Sequence, residues 1–196
     1  PGTVDGWAQL LKAHGTMSLK QVLQPAIELA TDGFPVGEMT ARAWRAMGER
    51  IKGNADAMQT YWPGGQPPRA GGIFRNPNLA RSFQRIADGG RDAYYLGDIA
   101  EKIVRASDAH DGLLALSDFA EHASTWDEPI CAEYGGYRVY ECPPNGQGIA
   151  ALMALNIVKR FDVRNMEHLS AEALHIQIEA MKLAFADARE YVADPR

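Results

Sequence analysis

The segment Tyr137-Arg138-Val139-Tyr140-Glu141-Cys142-Pro143-Pro144-Asn145-Gly146-Gln147-Gly148-Ile149-Ala150-Ala151 decides how the rest of the chain is read. It starts as a strand rich in aromatic and β-branched residues and ends in the apolar run Ile149–Val158, which suits a buried helix. Between them, Gly146-Gln147-Gly148-Ile149-Ala150-Ala151 satisfies the G-x-G-x-x-A pattern of dinucleotide-binding units, with Glu167 near the position of a ribose-binding acid. Two features oppose that reading. Pro143-Pro144 stiffens a turn that should be tight, and Phe161-Asp162-Val163 runs into polar residues where a second parallel strand is required. A dinucleotide oxidoreductase is therefore not expected. A weaker reading survives, because glycines ahead of a helix leave backbone N–H groups free. Asn145, Gly146, Gln147 and Gly148 either line a pocket able to receive a carboxylate or only build a tight strand-to-helix connection.

Upstream of this segment, Pro129–Tyr134 and Tyr137–Cys142 flank Gly135-Gly136 and predict a hairpin. With Tyr134 opposite Tyr137, Cys131 falls opposite Tyr140 and Cys142 lies diagonal to Cys131. Diagonal Cβ atoms stand roughly 7–8 Å apart, whereas a disulfide needs about 4 Å, so two free, packed thiols are expected. Strand character is confined to Thr125–Cys142. Two strands cannot form an enzyme's central sheet, so partner strands are expected outside the chain.

The remainder reads as helices. Val4, Trp7, Leu10 and Leu11 mark one face of a first helix, and Ser18-Leu19-Lys20-Gln21 fits a capping box for a second. Pro25 should kink or restart that helix, and Asp32-Gly33 should end it. A third runs from about Glu38 to Lys52. Residues 62–76, with Pro63-Gly64-Gly65-Gln66-Pro67-Pro68 and Gly71-Gly72, read as a long Pro/Gly-rich loop within a single domain spanning 1–196. Asn76-Pro77 opens a helix that Gly89-Gly90 closes, Asp98 to His110 forms another, and Ser117-Asp118 starts a short one. Ser170 caps the last helix, whose stripe Leu174, Ile178, Met181 and Phe185 sits beside a smaller stripe of Ala173, Ile176, Ala180 and Ala184. An apolar arc that wide implies burial between other elements. The sum is a helix-rich α+β segment with one β-hairpin.

The 196 residues carry 20 basic and 25 acidic side chains, for a net charge of −5. The charges are interspersed, so no basic stripe points to nucleic acid, and no apolar run reaches membrane-spanning length. Periplasmic or extracellular placement against cytoplasmic placement would rest on an N-terminus upstream of Pro1. Both ends, Pro1-Gly2-Thr3 and Asp194-Pro195-Arg196, read as cut ends.

Other candidate groups have plain explanations. Glu172, His175 and Glu179 share a helix face but lack the other half of a di-metal carboxylate site. Asp108, His110 and Asp111 precede Gly112 as a helix end, and His122 beside Glu121 is no more specific. Asp187, Arg189, Glu190 and Asp194 form a charged helix end suited to ion pairing. No metal site and no cofactor is expected.

Several ordered stretches together resemble the heavy subunit of the γ-glutamyltranspeptidase family. They are Pro1-Gly2-Thr3-Val4-Asp5-Gly6-Trp7, His14-Gly15-Thr16-Met17, Gln24-Pro25-Ala26-Ile27-Glu28-Leu29-Ala30 and Asp32-Gly33-Phe34. Tyr94-Tyr95-Leu96-Gly97-Asp98-Ile99-Ala100, Gly112-Leu113-Leu114, Asp118-Phe119-Ala120 and Tyr134-Gly135-Gly136-Tyr137-Arg138-Val139-Tyr140 follow in order. Pro143-Pro144, Leu155-Asn156-Ile157 and Glu179-Ala180-Met181-Lys182 through Asp187 to Asp194-Pro195 complete the set.

The resemblance implies part of an N-terminal-nucleophile hydrolase with an αββα core, cut by itself into heavy and light subunits. The light subunit's leading threonine would attack a γ-glutamyl amide, as in glutathione-like substrates, and form an acyl-enzyme. Thr3, Thr16, Thr31, Thr40, Thr60 and Thr125 all stand in heavy-subunit-like context, so no catalytic residue is expected in this segment. The implied partners are the light subunit and a small γ-glutamyl or acyl amide, with no cofactor. One departure stands out: Pro143-Pro144-Asn145-Gly146-Gln147-Gly148 replaces the familiar run of three prolines, two serines and two glycines. That variant is similar to the branch containing cephalosporin and glutaryl acylases. A non-catalytic helical interaction domain is the other alternative.

Overall fold

The computed structural model describes residues 2–193; the end readings on Pro1, Asp194, Pro195 and Arg196 lie outside them. Contacts group the chain into two compact units divided after Ser124.

In the first unit, α1 (Thr3–His14) and α2 (Leu19–Asp32) come first. The predicted capping box at the start of α2 is formed: Ser18 Oγ accepts the Gln21 N–H at 3.2 Å, and Gln21 Oε1 accepts the Ser18 N–H at 2.9 Å. Pro25 does not restart α2, which runs through it as one helix. The missing N–H forfeits a single bond, and burial of Leu23, Ile27 and Ala30 on the far face offsets that loss.

Gly33 ends α2 with φ 92°. A side chain there would also collide with Ile73 Cγ2 at 2.5 Å, because two segments meet at this point: β1 (Phe34–Pro35) pairs antiparallel with β2 (Ile73–Phe74). Strand character is thus not confined to the hairpin. A two-residue bridge has no period to detect, which is why the sequence hid it. Between the strands lie α3 (Glu38–Ile51), α4 (Ala55–Tyr61) and a 3₁₀ turn at Pro63–Gly65. The bridge and α3 enclose a small core of Val36, Ala41 and Phe74 with Phe34 and Trp44 against it.

The larger core of this unit is built by α5 (Pro77–Tyr95), α6 (Asp98–Asp108) and α7 (Leu116–Ala120) together with α1 and α2. Leu23, Ile27, Ile86, Tyr95, Ala100 and Phe119 are its centre. Asn76 caps α5 through the Leu79 N–H as expected. Gly90 (φ 66°, ψ −155°) breaks the helix, and the chain then winds a further turn to Tyr95. Of the apolar face read on α1, Val4 is buried while Trp7 and Leu10 are exposed.

The second unit holds the predicted hairpin, β3 (Ile130–Tyr134) and β4 (Tyr137–Glu141), in the expected register, with Tyr134 opposite Tyr137 and Cys131 opposite Tyr140. Both thiols are free, but they are exposed rather than packed. Cys131 points to the face opposite that of Ala132, the buried residue of its strand. α8 (Gly148–Val158) packs on the hairpin and α9 (Ala171–Tyr191) lies against α8, with Ala154, Val158, Ala180 and Ala184 at their contact. Ser170 caps α9 through the Ala173 N–H. The wide apolar arc on α9 is buried only along its alanine side, since Leu174, Ile178 and Met181 are exposed.

A test of the first unit's packing follows from Gly48, where an added Cβ would lie 2.1 Å from Trp62 Cζ2. The Gly48→Ala variant should lose about 1–3 kcal/mol of stability by overpacking, read from a shifted urea midpoint with an unchanged slope.

Candidate functional site

Two places concentrate polar chemistry, one in each unit. In the first, Asp5 is 1% exposed and is the one buried charged residue among those described. It stands in the first turn of α1, where a carboxylate suits the helix dipole. Its oxygens are filled: Oδ1 accepts from Arg91 Nε at 2.6 Å and Oδ2 from the Ser124 backbone N–H at 2.7 Å, while His122 Nε2 lies 3.8 Å from Oδ2.

The break at Gly90 aims this cluster. It starts a new helical turn on which Arg91 and Tyr95, four residues apart, share a face. The Arg91 guanidinium lies over the Tyr95 ring at 4.5 Å and donates to the His122 carbonyl oxygen. Tyr95 stacks on the His122 ring at 5.3 Å, and its hydroxyl oxygen accepts the Asp5 N–H at 3.1 Å.

Hydrogen bonds from Ser124, then from Arg91, outweigh burial and hold the Asp5 carboxyl at about 2. A carboxylate that acidic and that fully bonded is a poor general base, so the cluster is a structural clamp. Sequence reasoning missed Asp5 because an acid in a first helical turn reads as a solvated one. It passed over His122 because the partners lie far away in sequence.

In the second unit, the loop before α8 borders a cavity of about 260 Å³. Asn145, Gly146, Gln147 and Ile149 line one wall, and Phe185, Ala188, Arg189 and Val192 of α9 line the other. Three of the four loop residues singled out in the sequence therefore share a pocket. Gly148 does not line it. It faces Glu141 instead, whose Oε2 would lie 2.7 Å from any added Cβ. An internal carboxylate thus already stands beside the first residue of α8, where the helix dipole favours negative charge. The Arg189 of the charged helix end borders this cavity.

The remaining candidates stay apart. Glu179 pairs with Lys182 at 2.7 Å, which lowers its pKa, rather than joining Glu172 and His175 around an ion. Asp111 takes φ 55° in the loop after α6, and the Gly112 N–H donates to the Ser107 carbonyl. Among the described residues no three His, Cys, Asp or Glu side chains converge as metal ligands. The G-x-G-x-x-A turn joins an antiparallel hairpin to a helix, and no parallel strand pair occurs among the described residues. No described helix is long and apolar enough to cross a membrane.

Comparison with known proteins gives a consistent result. The profile of the family described as Gamma-glutamyltranspeptidase matches residues 1–196. The chain is 36% identical to the glutathione hydrolase-like YwrD proenzyme of Bacillus subtilis, covering all of this chain and 37% of that protein. It is 38% identical to the glutathione hydrolase proenzyme of Escherichia coli, covering 100% of this chain and 34% of that one. The crystal structure of cephalosporin acylase from Bacillus halodurans superposes with a TM-score of 0.89 at 40% identity, over 100% of this chain and 37% of that chain. The chain spans about a third of the length of the curated relatives it matches.

The clamp makes two checkable demands. Arg91→Met should cost about 3–5 kcal/mol at pH 7, because it strands a buried carboxylate, and adding Asp5→Asn should recover part of the loss in a urea melt. The depressed pKa of Asp5 also sets an acid limit. Its contribution of about 2–3 kcal/mol is complete above the unfolded carboxylate value of about 3.9 and is lost as the pH falls through about 2. Asp5→Asn should flatten this acid limb of the stability profile.

Proposed function

The chain belongs to the γ-glutamyltranspeptidase family, and from that premise we propose that it is a heavy-subunit segment of an amide-cleaving acyltransferase or hydrolase. The observation that supports this is the ordered match of the whole chain to proenzymes about three times its length. In the reaction, the hydroxyl of a threonine on a separate light subunit attacks a γ-glutamyl amide carbon and expels the amine. Water or an acceptor amine then takes the acyl group from the threonine ester. The segment supplies helical layers and one pocket wall, with Asn145, Gly146 and Gln147 facing the acyl group and no nucleophile of its own.

The loop favours a second reading within the same family. Asn145-Gly146-Gln147-Gly148 departs from the familiar transpeptidase run, and the likeness to a cephalosporin acylase is strong. On that reading the acyl group is glutaryl-like and water is the only acceptor.

The test uses the full-length protein. It should cut itself into two chains and release chromophore from a γ-glutamyl anilide, or from the glutaryl anilide if the acylase reading holds. Two intact chains inert to both compounds would sink the proposal. In the processed enzyme Gln147→Ala should raise KM by about fivefold, the loss of one hydrogen bond, and leave kcat within about twofold.

A further inference from the structure

Positive charge gathers between α5 and α6 of the first unit, against the sign of the chain as a whole, which carries −5. A cavity of about 440 Å³ opens there, within the roughly 300–1,000 Å³ of small-molecule pockets. One wall is made of Asn78, Arg81, Ser82 and Arg85, whose spacing of three and four puts them on one face of α5. The other is made of Ile99, Ile103 and Ala106 of α6, with Lys102 on the same face. Ile99 and Ile103 also pack against the core of the unit, which fixes this wall in place. The cavity is therefore two-sided, polar and cationic along α5 and apolar along most of α6.

The hydrogen bonds leave the polar wall with donors to spare. Arg81 donates one N–H to the Asn78 side-chain oxygen, so the Asn78 amide has its own N–H groups to offer. Ser82 Oγ donates to the Asn78 carbonyl oxygen at 3.1 Å. Arg85 and Lys102 share one carboxylate, that of Asp98: Lys102 Nζ lies 2.7 Å from Oδ2, and Arg85 pairs with the same oxygen. Arg81 has no carboxylate partner among the described residues, and none of the residues lining the cavity is an acid. By contrast, other surface pairs match one cation to one acid: Lys20 with Asp88, Lys52 with Glu49, and Lys182 with Glu179. Arg81 and Arg85 are also like charges four residues apart, an arrangement that destabilises a helix unless an anion lies between them.

We propose that the α5–α6 cavity binds a small organic oxyanion, a carboxylate or phosphate carried on an apolar body. The head takes the spare N–H donors of Arg81 and Asn78 and the charge of Lys102, and the body lies on Ile103 and Ala106. Arginine suits such a head, because its planar fork matches two oxygens at once. A bare inorganic ion would leave the apolar wall unused, so the body is part of what is recognised. This inference concerns the first unit alone and does not rest on the proposed reaction.

The experiment is calorimetry on the full-length protein with phenyl phosphate, phenylacetate and inorganic phosphate as probes. One of the two phenyl compounds should saturate a single site, at least about tenfold more tightly than inorganic phosphate, and which one it is names the head group. Arg81→Gln should weaken that binding at least about tenfold, through the loss of a charge-assisted hydrogen bond. Ala106→Glu should abolish it by setting a like charge on the wall. Arg81 is exposed, so Arg81→Gln should melt at the temperature of the unaltered protein, and it decides the matter even where Ala106→Glu disturbs packing. Failure of both phenyl compounds to saturate in the millimolar range overturns the proposal. So does binding that Arg81→Gln leaves unchanged. Inorganic phosphate bound as tightly as either phenyl compound overturns it too, since that marks an adventitious ion only.

Discussion

The buried charge at Asp5 is the constraint on which the first unit depends. Removing a carboxylate from water is costly, and the cost is met only where donors converge on it. Here the donors come from places far apart in sequence: Arg91 from the turn after Gly90, and the Ser124 N–H from the end of the unit. Because neither oxygen can be left unbonded, the clamp fixes three segments relative to one another more strictly than apolar packing could. Leucine contacts tolerate sliding, whereas an ion pair at 2.6 Å tolerates little. The glycines around it follow from the same demand. Gly90 re-aims the helix so that Arg91 and Tyr95 face α1, and Gly2 leaves room for His122, whose Cε1 would lie 3.3 Å from an added Cβ.

The second unit is held together differently. Its core is small side chains at a helix–helix contact, with Ala154, Ala180 and Ala184 allowing α8 and α9 to approach closely. Close approach gains dispersion contacts but buries little apolar area per residue, so the unit leaves large side chains uncovered. Hairpin and helix also meet at Glu141 and Gly148, where the absence of a side chain leaves room for the carboxylate, whose Oε2 would lie 2.7 Å from an added Cβ. That arrangement gives a physical role to the second glycine of the G-x-G-x-x-A run and needs no nucleotide to explain it.

Local signals were legible in the sequence wherever local physics decides the outcome. The capping box at Ser18, the caps at Asn76 and Ser170, the hairpin register and the stop at Gly33 all depend on residues within a few positions of one another. What stayed hidden depends on distant partners. The bridge of Phe34–Pro35 with Ile73–Phe74 spans too few residues to show a period, and α4 lies in a short polar stretch capped only by Asn54. The Asp5 clamp needs Arg91 and Ser124, which no spacing rule connects. The loop at Asn145–Gln147 was half legible: its glycines marked a special turn, but the α9 wall that makes a pocket of it became visible only in three dimensions.

The division between the units also explains why resemblance names the family more readily than the chemistry. The stretches that carry the likeness include structural punctuation, such as Asp5 in the clamp, Asp32-Gly33 at a helix stop and Tyr134-Gly135-Gly136-Tyr137 at a hairpin turn. Such residues are restricted by backbone geometry and buried charge, independently of any chemistry at the cavity. The residues that border the cavity on α9 and in the loop are side chains of differing size and polarity, which packing does not dictate. A scaffold held by a clamp and by glycine turns can therefore exchange loop side chains such as Asn145 and Gln147 at the cavity wall without refolding, whereas Gly148, packed against Glu141, is tied to the scaffold itself.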